Sequence, residues 1–235
     1  MITKSERSKV EREFLQSLGK RMASFGFDET PSGQSFYWPF ESGKWAFHVS
    51  FIPHRDDVDL TADVAIRLDS IEDLVNEYDT KRNAAQKRQS MTIGGELGNL
   101  SEDRPHRWTL AAIDDIPQVS DQVARLFETV GLPFLKAHSD ISTLNRVLSS
   151  SDSRDKLLCP LLGPRAMRAI ASAHVLDENR DLTLLADQLE ARLAEKEDVY
   201  LEDFRALRGA LSKNRSRISE GTPVMRTGLG STGGK

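Results

Sequence analysis

The chain has a single cysteine, Cys159, in 235 residues, which excludes an internal disulfide. Set among Leu157, Leu158 and Leu161, it reads as a small buried apolar residue rather than a reactive thiol. Long apolar runs are also missing. No stretch approaches the ~18 residues needed to span a bilayer. The N-terminal MITKSERSKVEREF is charged and lacks the apolar region of a secretory signal. These absences lead to the expectation of a cytoplasmic protein with no membrane partner. A basic excess is missing as well: 32 Lys and Arg face 36 Asp and Glu, for a formal charge of −4. That balance argues against nucleic acid as a partner. Motifs of bound chemistry are absent too. There is no HExxH or CxxC spacing, and Gly94, Gly95 and Gly98 follow neither GxGxxG nor a glycine loop ending in Lys-Ser/Thr. They read as a bend or bulge in a strand. No cofactor and no metal is expected.

What the chain does have is residues 45–68, WAFHVSFIPHRDDVDLTADVAIRL. Trp45, Phe47, Val49 and Phe51 alternate with Ala46, His48, Ser50 and Ile52. Val58, Leu60, Ala62, Val64, Ile66 and Leu68 alternate with Asp57, Asp59, Thr61, Asp63, Ala65 and Arg67. A period of two puts each set on one face of a strand. A four-residue loop, His54 to Asp57, pairs Trp45 with Ile66, Phe47 with Val64, Val49 with Ala62 and Phe51 with Leu60. A slip of one residue would oppose apolar to polar throughout, so the pattern selects this register. The same register sets His48 opposite Asp63 and Ser50 opposite Thr61 on the polar face.

Around this hairpin the spacing predicts a helix over 5–25, a first strand over 34–40 with an edge marked by Pro39, and a turn over 41–44. Ser70 and Asp73 suggest a capped helix after Leu68. Residues 79–89 read as exposed helix or loop, 90–97 as a fourth strand, 99–105 as a polar loop and 106–112 as a fifth strand. A helix capped by Asp114 or Asp115 runs to about 130, where Gly131 and Pro133 should stop it. Helices over roughly 164–175, 180–195 and 199–213 follow, with Ala169, Ala171 and Ala173 permitting close packing. The expected fold is α+β: a roughly five-stranded antiparallel meander packed on helices, with a C-terminal helical cap. The expected domains are an α+β sheet domain over 1–150 and a helical subdomain over 151–213. A disordered tail over 214–235 is expected from its Gly, Ser and Thr content.

Candidate chemistry centres on the hairpin's polar face. His48 and Asp63 suit a carboxylate-oriented imidazole, but Ser50 lies about 7 Å from His48 along the strand, too far to be the nucleophile. A metal site drawn from His48, His54, Asp57, Asp59 and Asp63 meets the same difficulty, since Asp59 and Asp63 lie about 13 Å apart along a strand. Trp38, His48, Arg67 and Arg107 are the residue types that anchor protein interfaces. Asp57, Asp59 and Asp63 would draw a basic surface toward them.

The order of elements adds a resemblance. An N-terminal helix, FYW, DVDLTADVAIRL, TIGGELGNL, a His-Arg-Trp-Thr-Leu strand and DDIPQVSDQVARLFETVGLPFL resemble, over roughly residues 5–150, a family of bacterial domains of unknown function. The resemblance implies one α+β unit of helix, curved antiparallel sheet and C-terminal helices. It implies no catalytic residue. Some small acidic bacterial proteins of similar build are immunity proteins against toxins. The expected function is therefore a non-enzymatic, immunity-type protein-binding module. Its partner would be a protein, basic by charge complementarity. The alternative is a hydrolase using His48 and Asp63.

Overall fold

The computed structural model describes residues 3–102, 104–177 and 180–220, with side chains to 212. The chain opens with helix α1 (Lys4–Ala23). Thr3 starts it through a capping box, its hydroxyl accepting from the Glu6 amide while the Glu6 carboxylate accepts from the Thr3 amide. Val10, Phe14, Leu18 and Met22 form its buried stripe. Gly26, at φ 97°, reverses the chain after α1, and a Cβ there would press on the Trp38 indole.

Strands β1 (Ser35–Phe40), β2 (Gly43–Pro53) and β3 (Val58–Leu68) follow as a meander. The β2–β3 register is the one selected by the apolar pattern. Trp45 faces Ile66, Phe47 faces Val64, Val49 faces Ala62, Phe51 faces Leu60, and His48 faces Asp63. The loop is His54 to Asp57, closed by the His54 amide donating to the Asp57 carbonyl at 3.0 Å.

The other edge of β3 is shared. β4 (Ile93–Glu96) pairs with residues 63–66 and β5 (Trp108–Leu110) pairs with residues 58–60, end to end. Both strands are shorter than the 90–97 and 106–112 expected. Between them lies helix α4 (Leu97–Glu102), where a polar loop was expected. Glu96 accounts for the difference. Its carboxylate accepts from the Gly98, Asn99 and His106 amides, so it ends the strand, caps α4 and ties the return segment in place.

Helix α2 (Asp69–Tyr78) begins one residue before Ser70, and no side chain caps it. Asp69 and Asp73 instead accept from Arg67 Nε and Nη2, each at 2.6 Å. Helix α3 (Ala84–Arg88) resolves the ambiguity of 79–89: a short helix, capped by Asn83, inside a loop. After a 3-10 turn at Ile113–Asp115 comes α5 (Ile116–Leu126). Gly131 and Pro133 do not stop it. A π-turn, Phe127–Gly131, hands the chain to α6 (Leu132–Ala137). Gly131 serves close approach instead: a Cβ there would come within 3.0 Å of Val64 and Leu97 side-chain atoms. Pro133 falls in the first turn of α6, where its missing amide is tolerated.

Helix α1, α5 and the π-turn cover the apolar face of the sheet, with Phe127 meeting Phe25, Phe27 and Phe47 at ring-centroid distances of 5.2 to 5.5 Å. The C-terminal helices are α7 (Ile141–Ser149), α8 (Ser153–Leu157), α9 (Leu162–Leu176), α10 (Thr183–Glu195) and α11 (Leu201–Glu220). α9 is buried on all sides from Gly163 to Ala173, and its alanines at 169, 171 and 173 are fully enclosed by its neighbours. One hydrophobic cluster runs from Val10 to Leu211 and crosses residue 150 without a break. α11 carries helix to Glu220, past residue 214 where the tail was expected to begin; residues 221–235 lie outside the described ones. No helix among the described residues is long and apolar enough to cross a membrane.

Candidate functional site

The polar face of the sheet is built by alternation, each strand giving every second residue to it. One row crosses four of the five strands: Ser35 of β1, His48 of β2, Asp63 of β3 and Glu96 of β4 are successive cross-strand partners. All four are partly accessible. Ser35 Oγ lies 2.8 Å from His48 Nδ1. Glu96 is occupied with the amides around α4. Asp63 is not occupied: its carboxylate shares no hydrogen bond with the described residues, although His48 stands beside it. Burial raises the Asp63 pKa above its ordinary value. The charge of Glu96 also raises it, and His48 opposes the shift.

One end of this face is closed. Arg67, only 7% exposed, donates to the Lys87 carbonyl and to the carbonyl and hydroxyl of Ser90 as well as to its two aspartates. Lys44, its cross-strand partner, donates to the Arg88 carbonyl and lies over the Tyr37 ring. Arg67 is therefore a clamp that holds residues 87–90 on the sheet, not an interface anchor. Of the basic residues in 79–89, Lys81 and Arg82 meet Asp203 and Asp79, and Lys87 donates to the Asn76 carbonyl. Trp38 is on the opposite face. It pairs with Trp45, meets its ring edge-on at 4.7 Å and covers Gly26.

The other end of the polar face carries the acidic group at the hairpin tip. His54, Asp57 and Asp59 each bring one ligand atom within 4.8 Å of the others. Asp59 is already engaged, accepting from Thr109 Oγ1 at 2.7 Å and meeting His54 Nε2 at 3.1 Å. The Thr109 hydrogen bond lowers the Asp59 pKa, with His54 and the nearby Arg107 adding to the shift against slight burial. Arg7 of α1 fixes the tip by donating to the His54 carbonyl at 2.8 Å. Exposed Arg107 stands at the rim beside Thr109.

Of the residues expected to form one surface, the structure brings together His48, Asp63, Asp59, Asp57 and Arg107 along the open part of the face. It separates Trp38, and it buries Arg67. Ser35 and Glu96 were missed. Ser35 could have been found from turn length: the β1–β2 turn is Glu41 and Ser42 alone, and a two-residue turn sets residue 35 opposite 48. Glu96 had no such signal, because a long excursion separates β3 from β4.

No family model, curated protein or solved structure matches the chain.

Proposed function

We propose that the protein is a non-enzymatic binding module, of the immunity type, that holds a basic protein partner on the open polar face of its sheet. The observation that carries this reading is Asp63. Its carboxylate is partly accessible, has a raised pKa and accepts no hydrogen bond from the described residues. A lysine or arginine of a partner supplies the missing donor. Asp57 and Asp59 extend the negative field toward the hairpin tip, where they raise the rate of encounter more than the affinity.

The test compares the wild-type chain with Asp63→Asn. A folded-state carboxylate pKa above its unfolded value makes the charged form unfavourable, so stability falls as pH rises through that window. At pH 7 the Asn variant should therefore be at least as stable as wild type in urea unfolding. In pull-downs from the native lysate it should lose a stoichiometric partner that wild type retains, in a salt-sensitive manner. A wild-type bait that recovers no stoichiometric partner counts against the proposal.

A second reading, a hydrolase, is favoured by Ser35, which places a hydroxyl on His48. Against it, His48 and Asp63 share no hydrogen bond, and Ser35, His48 and Asp63 line none of the clefts found near Arg165, Arg21 or His106. If this reading holds, activated aryl esters are turned over and Ser35→Ala lowers the rate at least ~100-fold, the usual weight of a nucleophile–base pair. Turnover equal in both forms removes it.

A further inference from the structure

We propose that a cleft among the C-terminal helices, lined by none of the polar-face residues, binds a small amphipathic anion: a carboxylate or phosphate head on an apolar body. The cleft lies where the end of α7 and the α8–α9 junction meet α10, and has a volume of about 530 Å³. That is the size of a small-molecule site, roughly 300–1,000 Å³.

Its lining divides by chemistry. Leu148, Leu162, Leu185, Leu189 and Ala166 supply apolar wall, while Lys156, Arg165 and Arg192 supply three cations and no carboxylate lines the space. None of the three cations forms an ion pair with the described residues, in a chain whose formal charge is −4. Arg165 is built in: it is 8% exposed, and it donates to the backbone carbonyls of Asp155, Val147 and Ser150. Those neutral acceptors fix the guanidinium without balancing its charge. Burial lowers the Arg165 pKa, and the nearby charge of Arg192 lowers it further against the opposing pull of Cys159 and Asp155. An anion in the cleft relieves both effects.

The segments that line the cleft also carry exposed leucines. Leu157, Leu161 and Leu184 are 62%, 66% and 71% exposed. Each is the sequence neighbour of a lining residue, Lys156, Leu162 and Leu185 respectively.

The test is titration calorimetry of the full chain with decanoate, decyl phosphate and decanol below their micellar concentrations. Saturable binding of at least one of the two acids, with decanol at least tenfold weaker, is expected. The preferred acid identifies the head group. Lys156→Gln/Arg192→Gln, which alters two accessible side chains and leaves the Arg165 cage intact, should weaken binding at least tenfold without moving the melting temperature. Leu189→Trp should fill the cleft and abolish binding. If that variant fails to fold, the charge variant carries the test. Absence of binding by both acids, decanol binding as tightly as they do, or an unaffected charge variant each overturns the proposal. So does binding to phosphatidylglycerol vesicles alone, which would assign the cations to a lipid-docking surface instead.

Discussion

Arg168→Met should destabilise the protein by about 3–5 kcal/mol at pH 7, the cost of leaving one member of a buried ion pair alone. Arg168 on α9 and Glu72 on α2 are 3% and 0% exposed, and they form a fork of two hydrogen bonds at 2.6 and 3.0 Å. Arg168 also reaches Cys159 Sγ at 3.8 Å, a weak contact that accounts for little. With the arginine removed, Glu72 keeps its burial and loses its counter-charge. The double variant Glu72→Met/Arg168→Met buries thioether chains instead of charges. It should recover most of the loss or exceed wild type, since well-packed apolar replacements of buried pairs are commonly neutral or stabilising.

The pH dependence follows with a definite sign. Burial raises the Glu72 pKa, but the charge and hydrogen bonds of Arg168 outweigh it and leave the folded value below the ordinary 4.5. The pair's contribution is therefore complete above pH 4.5 and is lost as pH falls through the folded value. In Arg168→Met burial is opposed only by the Ser90 hydrogen bond and the charge of Arg67, so the Glu72 pKa rises and protonation relieves the strain. The stability gap between wild type and Arg168→Met should narrow on acidification from pH 7 to pH 4. Urea midpoints across that range measure it, and a gap that widens would contradict the assignment.

Phe127→Ala is the other large effect, expected at about 3–5 kcal/mol. Phe127 has no exposed surface and lies at the centre of a ring cluster with Phe25, Phe27 and Phe47. It joins the chain just after α1, the middle of β2 and the end of α5, so its removal opens a cavity where three elements meet. Phe47 is fixed on β2 and Phe27 packs edge-on against Trp38, which limits collapse. Edge-on ring contacts add about 0.5–1.5 kcal/mol per pair to the area term. Phe127→Leu, which keeps most of the volume, should recover most of the loss. A lower urea midpoint with an unchanged slope is the expected signature. A loss below about 1 kcal/mol for the Ala variant would show that the site repacks.

The parts of this fold that were legible in the sequence are those set by short-range rules. The β2–β3 register followed from four apolar pairs and one loop length, and every pair expected there is present. Helix α1 followed from its periodicity, and the α+β class from the order of segments. What was not legible depends on single side chains acting at a distance. Glu96 turns a strand into a helix cap by gathering three amides, one of them ten residues away. Gly131 and Pro133 look like a helix stop. They are tolerated because a π-turn shifts the helix and a missing Cβ lets it lie against Val64. Arg67, placed by alternation on the polar face, is drawn under residues 87–90 by partners that no periodicity reveals. The candidate site was half legible: His48 and Asp63 came from a local register, Ser35 was hidden by a β1–β2 turn that is two residues shorter than the 41–44 expected, and Glu96 lies on a strand reached by a long excursion.

The divided edge of β3 has a consequence for how the chain folds. β1, β2 and β3 are joined by tight turns and can assemble early, because their pairings are close in sequence. β4 and β5 pair with residues 27 to 52 positions earlier in the chain, and each covers only part of β3. Until they arrive, an eleven-residue strand of alternating apolar residues presents an open edge, a template for another chain in the same state. Asp59 and Asp63 lie along that strand. Two copies pairing there would bring like charges together, so the same carboxylates that give the native face its negative field also act as gatekeepers against self-association during folding.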